Sequence, residues 1–141
     1  MSPAWQRERV NSKWRWVWNG WVSQAFDELE ERPWTPLAMG DRLCFSAYED
    51  GKWFVVFGDD CSPPFDDAFD TEEHKGQPLF VARNRDEWFI VWGKLRSRGF
   101  PMQISFEAVD DVVYASWFSP RGTDNPVEVL TFRPYESEHP T

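Results

Sequence analysis

The sequence predicts an α+β fold: a single domain whose mainly antiparallel sheet of about five to six strands packs with an N-terminal helix and one mid-chain helix. Three observations predict it. Apolar residues recur every third or fourth position over 12–31. They alternate with a period of two over 42–57. A second helical spacing over 85–98 is closed by Gly99 and Pro101.

In the N-terminal arm, Trp14, Trp18, Trp21, Val22, Ala25, Phe26 and Leu29 share one helical face, with Asn11 or Ser12 as N-cap. Trp16 and Val17 fall off that face, and Gly20 inside the pattern costs about 1 kcal/mol. A competing reading makes 14–18 a strand with Asn19-Gly20 as its turn. The helix over 12–31 is preferred, because the run SQAFDELEER continues it and leaves no room for a return strand. Pro33 and Pro36 stop it.

A β-hairpin follows over 42–57. Leu43, Phe45 and Ala47 alternate with Cys44, Ser46 and Tyr48; Trp53, Val55 and Phe57 alternate with Phe54 and Val56. Glu49-Asp50-Gly51 supplies the turn, since Gly takes positive φ freely. Residues 58–78 read as an acidic loop, the one long break in the apolar patterning.

The block 79–132 reads as strand, helix and strands. A short strand covers 79–82. Asn84 or Asp86 caps a helix over 85–98 with Trp88, Val91, Trp92 and Leu95 inward. Lys94, Arg96 and Arg98 suit its C-terminal end. The alternative is a strand over 87–92, which the paired start and stop signals outweigh. Strands over 102–107, 112–118 and 127–132 follow, with a polar loop at 119–126 and a tail at 134–141. No internal repeat and no linker divides the chain.

The 141 residues carry a net charge of −9, unevenly spread. Over 24–73, fourteen acids stand against Arg32, Arg42 and Lys52. Residues 1–16 and 83–98 are each locally basic. The overall field repels phosphates, so no direct nucleic-acid binding is expected. The N-terminus lacks the apolar core of a secretory signal and no apolar run suits a membrane span, so a cytoplasmic chain with no membrane contact is expected. Cys44 and Cys61 fit no disulfide framework.

No catalytic signature emerges, and the chain is not expected to be an enzyme. His74 and His139 are the only histidines. A Cys61–His74 pair would sit among carboxylates, which raise a thiol pKa and oppose activation. An EF-hand register over 66–71 fails, with Ala68 and Thr71 in place of a ligand and the Gly. Cys44, Cys61, His74 and His139 lack zinc spacing. No metal and no cofactor are therefore expected.

What remains is recognition. Asp59, Asp60, Asp66, Asp67, Asp70, Glu72 and Glu73 fall in one short stretch, with Phe65 and Phe69 among them. If this stretch forms a helical turn, the two Phe dock it and the carboxylates face out. A fixed negative ridge speeds and orients encounter with a basic protein surface. The expected function is binding and inhibition of a macromolecular partner: an immunity protein or antitoxin against a basic toxin, or a phage inhibitor of a nucleic-acid-handling defence complex of the anti-CRISPR kind. The alternative is a carbohydrate or small-ligand binding domain built on exposed Trp, ten of which are present.

Overall fold

The computed structural model describes residues 5–30, 36–118 and 126–135. It replaces the expected α+β fold with one that is nearly all β: 64% of the described residues are strand, and none of them forms an α-helix. Neither the helix over 12–31 nor that over 85–98 exists. Four antiparallel sheets take their place, in two compact units, residues 1–66 and 67–141.

The first unit opens with β1 (Gln6–Val10), β2 (Lys13–Trp18) and β3 (Trp21–Val22), paired in that order. Here the competing reading of the arm is the correct one: Asn19 and Gly20, both at positive φ, turn the chain between Trp18 and Trp21. The return strand is only two residues long, which is why no room for it was visible. The second sheet contains β4 (Glu28–Leu29), β5 (Leu37–Met39), β6 (Arg42–Glu49), β7 (Lys52–Phe57) and β8 (Asp60–Cys61). β6 and β7 form the hairpin expected over 42–57, closed by Glu49 opposite Lys52. Both β4 and β5 pair with β6. Trp16, Trp18, Phe26, Leu29, Leu43, Phe45, Ala47 and Val56 form the core of this unit.

The second unit holds β9 (Asp67–His74), β10 (Gln77–Asn84), β11 (Glu87–Trp92) and β12 (Leu95–Arg96) in one sheet. β13 (Ser105–Val109), β14 (Val112–Ser116) and β15 (Val127–Val129) form another. β16 (Arg133–Pro134) adds to β12. The supposed helix over 85–98 is thus β11, a turn at Gly93-Lys94 and β12. The supposed acidic loop over 58–78 contains β8 and β9. Leu79, Val81, Ile90, Phe100, Ile104, Val113, Ala115 and Leu130 form the core. Pro33, most of the loop at 119–126, and the tail beyond Tyr135 with His139 lie outside the described residues.

One pattern recurs, although no repeat is visible in the sequence. A hairpin leads through a two-residue turn to a two-residue strand, then a Ser, then a buried Phe. The copies are β1-β2-β3 with Ser23 and Phe26, β6-β7-β8 with Ser62 and Phe65, and β10-β11-β12 with Ser97 and Phe100. Phe26, Phe65 and Phe100 are each bridged to the second residue of the hairpin's return strand, Trp14, Trp53 and Trp88. The Ser hydroxyls accept the N–H of Trp16, Val55 and Ile90, each seven residues back. β13-β14-β15 is a looser fourth copy, in which Leu130 donates its N–H to the Val113 carbonyl at 2.9 Å, as the Phe residues do to Trp.

Among the described residues nine two-residue turns join the strands, and the first turn residue has positive φ in every one. Gly, Asn or Asp holds most of these positions, as the left-handed region demands. Arg85 does not, at φ 58°. Its carbonyl accepts from Arg83 at 2.7 Å, a bond any residue could keep. Arg85→Gly is expected to raise the urea midpoint, relief of about 1–2 kcal/mol of left-handed strain outweighing both the greater entropy of Gly in the unfolded chain and the contacts of the Arg85 side chain. A urea midpoint that falls instead would show that the Arg85 side chain contributes more than its strain costs.

Candidate functional site

The seven acids singled out in the sequence divide between the two units, three in the first and four in the second. Those of the first unit are engaged in its structure. Asp59, in the β7–β8 turn, accepts the indole N–H of Trp21 at 3.0 Å. Asp60 pairs with Arg42 at 3.4 Å. Asp66 pairs with Lys52 at 2.5 Å and is half-buried. Phe65 beside it is fully buried.

The other four lie on β9, the terminal strand of its sheet. β9 forms here because Ala68 and Thr71 point inward, both buried, and Phe69 packs against the unit's core. The docking expected from Phe65 and Phe69 is therefore present, but through strand pairing and not a helical turn. Asp67 stands opposite Arg83, and its carboxylate accepts the N–H of Ala68 at 3.0 Å. The register then shifts between Leu79 and Val81. The bulge this creates takes up Asp70, at φ 59°. Bulges of this kind favour a residue that tolerates positive φ, and they aim its neighbours outward. Asp70, Glu72 and Glu73 are all exposed.

Two further acids join them that the sequence reading treated only as a turn. At the end of β9, the His74 Nε2 lies 2.5 Å from the carbonyl oxygen of Asp110, and Lys75 pairs with Asp111 at 2.6 Å. The Lys75 hydrogen bond holds the Asp111 carboxyl below the usual carboxylate range, and Asp111 in turn raises Lys75. The His74 ring rests 5.3 Å from that of Trp92, whose indole N–H donates to the His74 carbonyl at 3.0 Å. The local cation is thus committed, and the β9–β10 and β13–β14 turns are joined. Nothing in the sequence links positions 36 residues apart.

The chemistry of this surface is that of fixed charge. His74 is held by a backbone carbonyl and an indole face. Burial pushes the Cys44 thiol up to about 12. Desolvation also raises the Cys61 thiol, the direction foreseen in the sequence but from a different cause. Among the described residues, no three His, Cys, Asp or Glu side chains are grouped to hold a metal ion. Nor is any helix among them long and apolar enough to cross a membrane. Nine of the ten Trp are described, and each is buried or half-buried.

No family model, no curated protein and no solved structure matches the chain.

Proposed function

We propose that the chain binds a basic protein surface through the carboxylates of β9 and inhibits the partner it covers. One observation carries this reading: Asp70, Glu72 and Glu73 are exposed on a terminal strand, with no ion-pair partner among the described residues. Asp59, Asp60 and Asp66, by contrast, each have a partner. Asp110 and Asp111 extend the negative field at the end of the same strand. Strand geometry sets these charges at a fixed spacing, as a phosphate backbone does, so a nucleic-acid-binding protein is a suitable target. An immunity protein, an antitoxin or a phage inhibitor of a defence nuclease would act in this way. A sugar-stacking role draws no support from the nine described Trp residues, each of which is buried or half-buried.

The test is a pull-down from lysate of the source cell with wild type and with Asp70→Asn, Glu72→Gln, Glu73→Gln combined. The triple variant removes three charges and no ion pair, so its far-UV circular dichroism should match wild type. Its affinity for the captured protein should fall by about tenfold or more, and wild-type binding should weaken steeply with salt. Capture indifferent to both the substitutions and the salt would refute the reading.

A further inference from the structure

We infer that the outer face of the β13-β14-β15 sheet is the apolar centre of the surface that meets the basic partner, and that this partner carries apolar side chains flanked by Lys or Arg. The inference rests on the reading of β9 given above and extends it to a second sheet of the same unit. Alternation fixes which residues form the face. Phe106, Ala108, Val113 and Ala115 turn to the core of the unit. Their neighbours point the other way: Val109 stands opposite Val112, Tyr114 opposite Val129 and Ser116 opposite Val127. Val109, Val127 and Val129 are each at least half exposed, as is Phe118 just beyond β14.

The solvated face of an antiparallel sheet is ordinarily polar. Ser105 and Glu107 conform on β13; the Val residues and Tyr114 do not. Strand propensity alone does not account for them, because Thr serves a strand as Val does and its hydroxyl is wetted. A contiguous apolar patch with a polar rim marks a contact surface. The rim here is acidic. Residues 105–118 and 126–130 contain four acids and no Lys or Arg. Asp111 and Glu128 are paired with Lys75 and Arg98. Glu107, opposite Tyr114 on this face, and Asp110, in the turn beside it, are exposed and have no ion pair among the described residues.

Size and charge together select the occupant. Three short strands present a face of roughly 14 by 17 Å, well short of the about 800 Å² per partner of an ordinary interface. The face is therefore too small to hold a partner alone. β9 supplies the rest of the area. The bonds of His74 to Asp110 and of Lys75 to Asp111 join the β13–β14 turn to the end of β9, on which Asp70, Glu72 and Glu73 are exposed. An apolar centre inside a charged rim is the usual arrangement of an interface, the centre supplying affinity and the charges orientation. A second copy of the chain does not fit. Two such faces in contact would set Glu107 and Asp110 of each copy against the acids of the other, whereas Lys or Arg on a basic partner meets them.

The test titrates the full chain with labelled synthetic peptides, followed by fluorescence anisotropy. LKKLLKLLKKLLKL offers Leu flanked by Lys, SKKSSKSSKKSSKS keeps the Lys without the apolar residues, and LEELLELLEELLEL keeps the Leu with the opposite charge. Saturable binding of the Leu–Lys peptide is expected, about tenfold or more tighter than of either other peptide. Val127→Thr combined with Val129→Thr, which keeps strand propensity, should weaken the Leu–Lys peptide about tenfold and leave the Ser–Lys peptide unchanged. The β9 triple variant should weaken both Lys peptides. Loss in the triple variant alone would overturn this inference and leave the β9 reading standing. Loss in the Val double variant with none in the triple would refute the β9 reading, and with it the joint surface. Equal affinity for the Leu–Lys peptide and either of the others would also overturn the inference, and that comparison needs no variant to fold. So would a wild-type dimer in sedimentation that the Val double variant disperses, since the face would then belong to a second copy.

Discussion

Truncating Phe100 to Ala is expected to destabilise the protein by about 3–5 kcal/mol, the cost of removing a fully buried ring. Only 1% of Phe100 is exposed. Its ring lies 5.2 Å from that of Trp117, and the Arg98 guanidinium sits 3.8 Å from its centre. Its backbone exchanges two hydrogen bonds with Trp88, at 2.7 and 2.9 Å. The side chain thus holds a point where the third hairpin, the short β12 and the following segment converge. Arg98 has a second anchor, a two-pronged bond to Glu128 at 2.7 and 2.8 Å, so the cavity left by the ring cannot be filled by swinging the guanidinium inward. Against a total stability of about 5–15 kcal/mol, this loss alone could unfold a marginal chain. Phe100→Leu, which keeps most of the volume, gives the control and should lose less than half as much. Urea denaturation followed by Trp fluorescence measures both; a loss under about 1 kcal/mol for Phe100→Ala would mean that the site collapses around the cavity.

The same residues explain why part of the fold was legible in the sequence and part was not. The hairpin over 42–57 was legible because each strand is long enough to show a period of two and Asp50-Gly51 marks its turn. The arm misled for a geometric reason. When a strand passes through a two-residue turn into a two-residue strand, inward residues such as Trp18 and Trp21 fall three apart, and those beyond, such as Phe26 and Leu29, continue the spacing by chance of turn length. That imitates one face of a helix. Trp92 and Leu95 also fall three apart across Gly93-Lys94, although there Leu95 is exposed and Arg96 beside it is buried. Gly20 and Gly93 were the contrary evidence, and in short-stranded proteins a Gly inside an apparent helical stripe should weigh more than the stripe.

The repeat escaped notice because its parts share roles and not identities. Asn19, Gly58 and Gly93 all take positive φ at the second turn of their copies. Lys13, Lys52 and Glu87 all start the return strand. The intervals also differ, because residues 30–36 separate β4 from β5 where the third copy has only the bulge at Asp70. What did not vary was Trp at the second residue of the return strand, the later Ser and the later Phe, too sparse to recognise without pairing information. For the candidate site, the sequence identified the acidic stretch but could not tell paired from exposed carboxylates. Asp66 looked equivalent to Asp70, yet its partner Lys52 lies in the hairpin before it. Asp110 and Asp111 reach the site only through His74 and Lys75.

Ser97→Ala should destabilise the protein by about 1–3 kcal/mol, although it deletes one oxygen atom. The hydroxyl is fully buried. It accepts the Ile90 N–H at 2.9 Å and donates to the Arg98 carbonyl at 2.9 Å. β12 is too short to cover the outward N–H of Ile90 with its own backbone, which is bonded through the Ser97 N–H to the Ile90 carbonyl. The hydroxyl completes the ladder that the strand cannot. With Ala, Ile90 keeps a buried N–H without that acceptor. Ser62 makes the same pair of bonds to Val55 and Pro63 but is only half-buried, so water can replace it in part and Ser62→Ala should cost less. Hydrogen exchange distinguishes this account from a general loosening: in Ser97→Ala the Ile90 amide should lose protection beyond the global fall in stability, while the amide of Val81, paired with Ile90 across the sheet, should follow the global change alone. Equal loss at both amides, or equal cost for Ser97 and Ser62, would show that the hydroxyl fills space and does not complete the ladder.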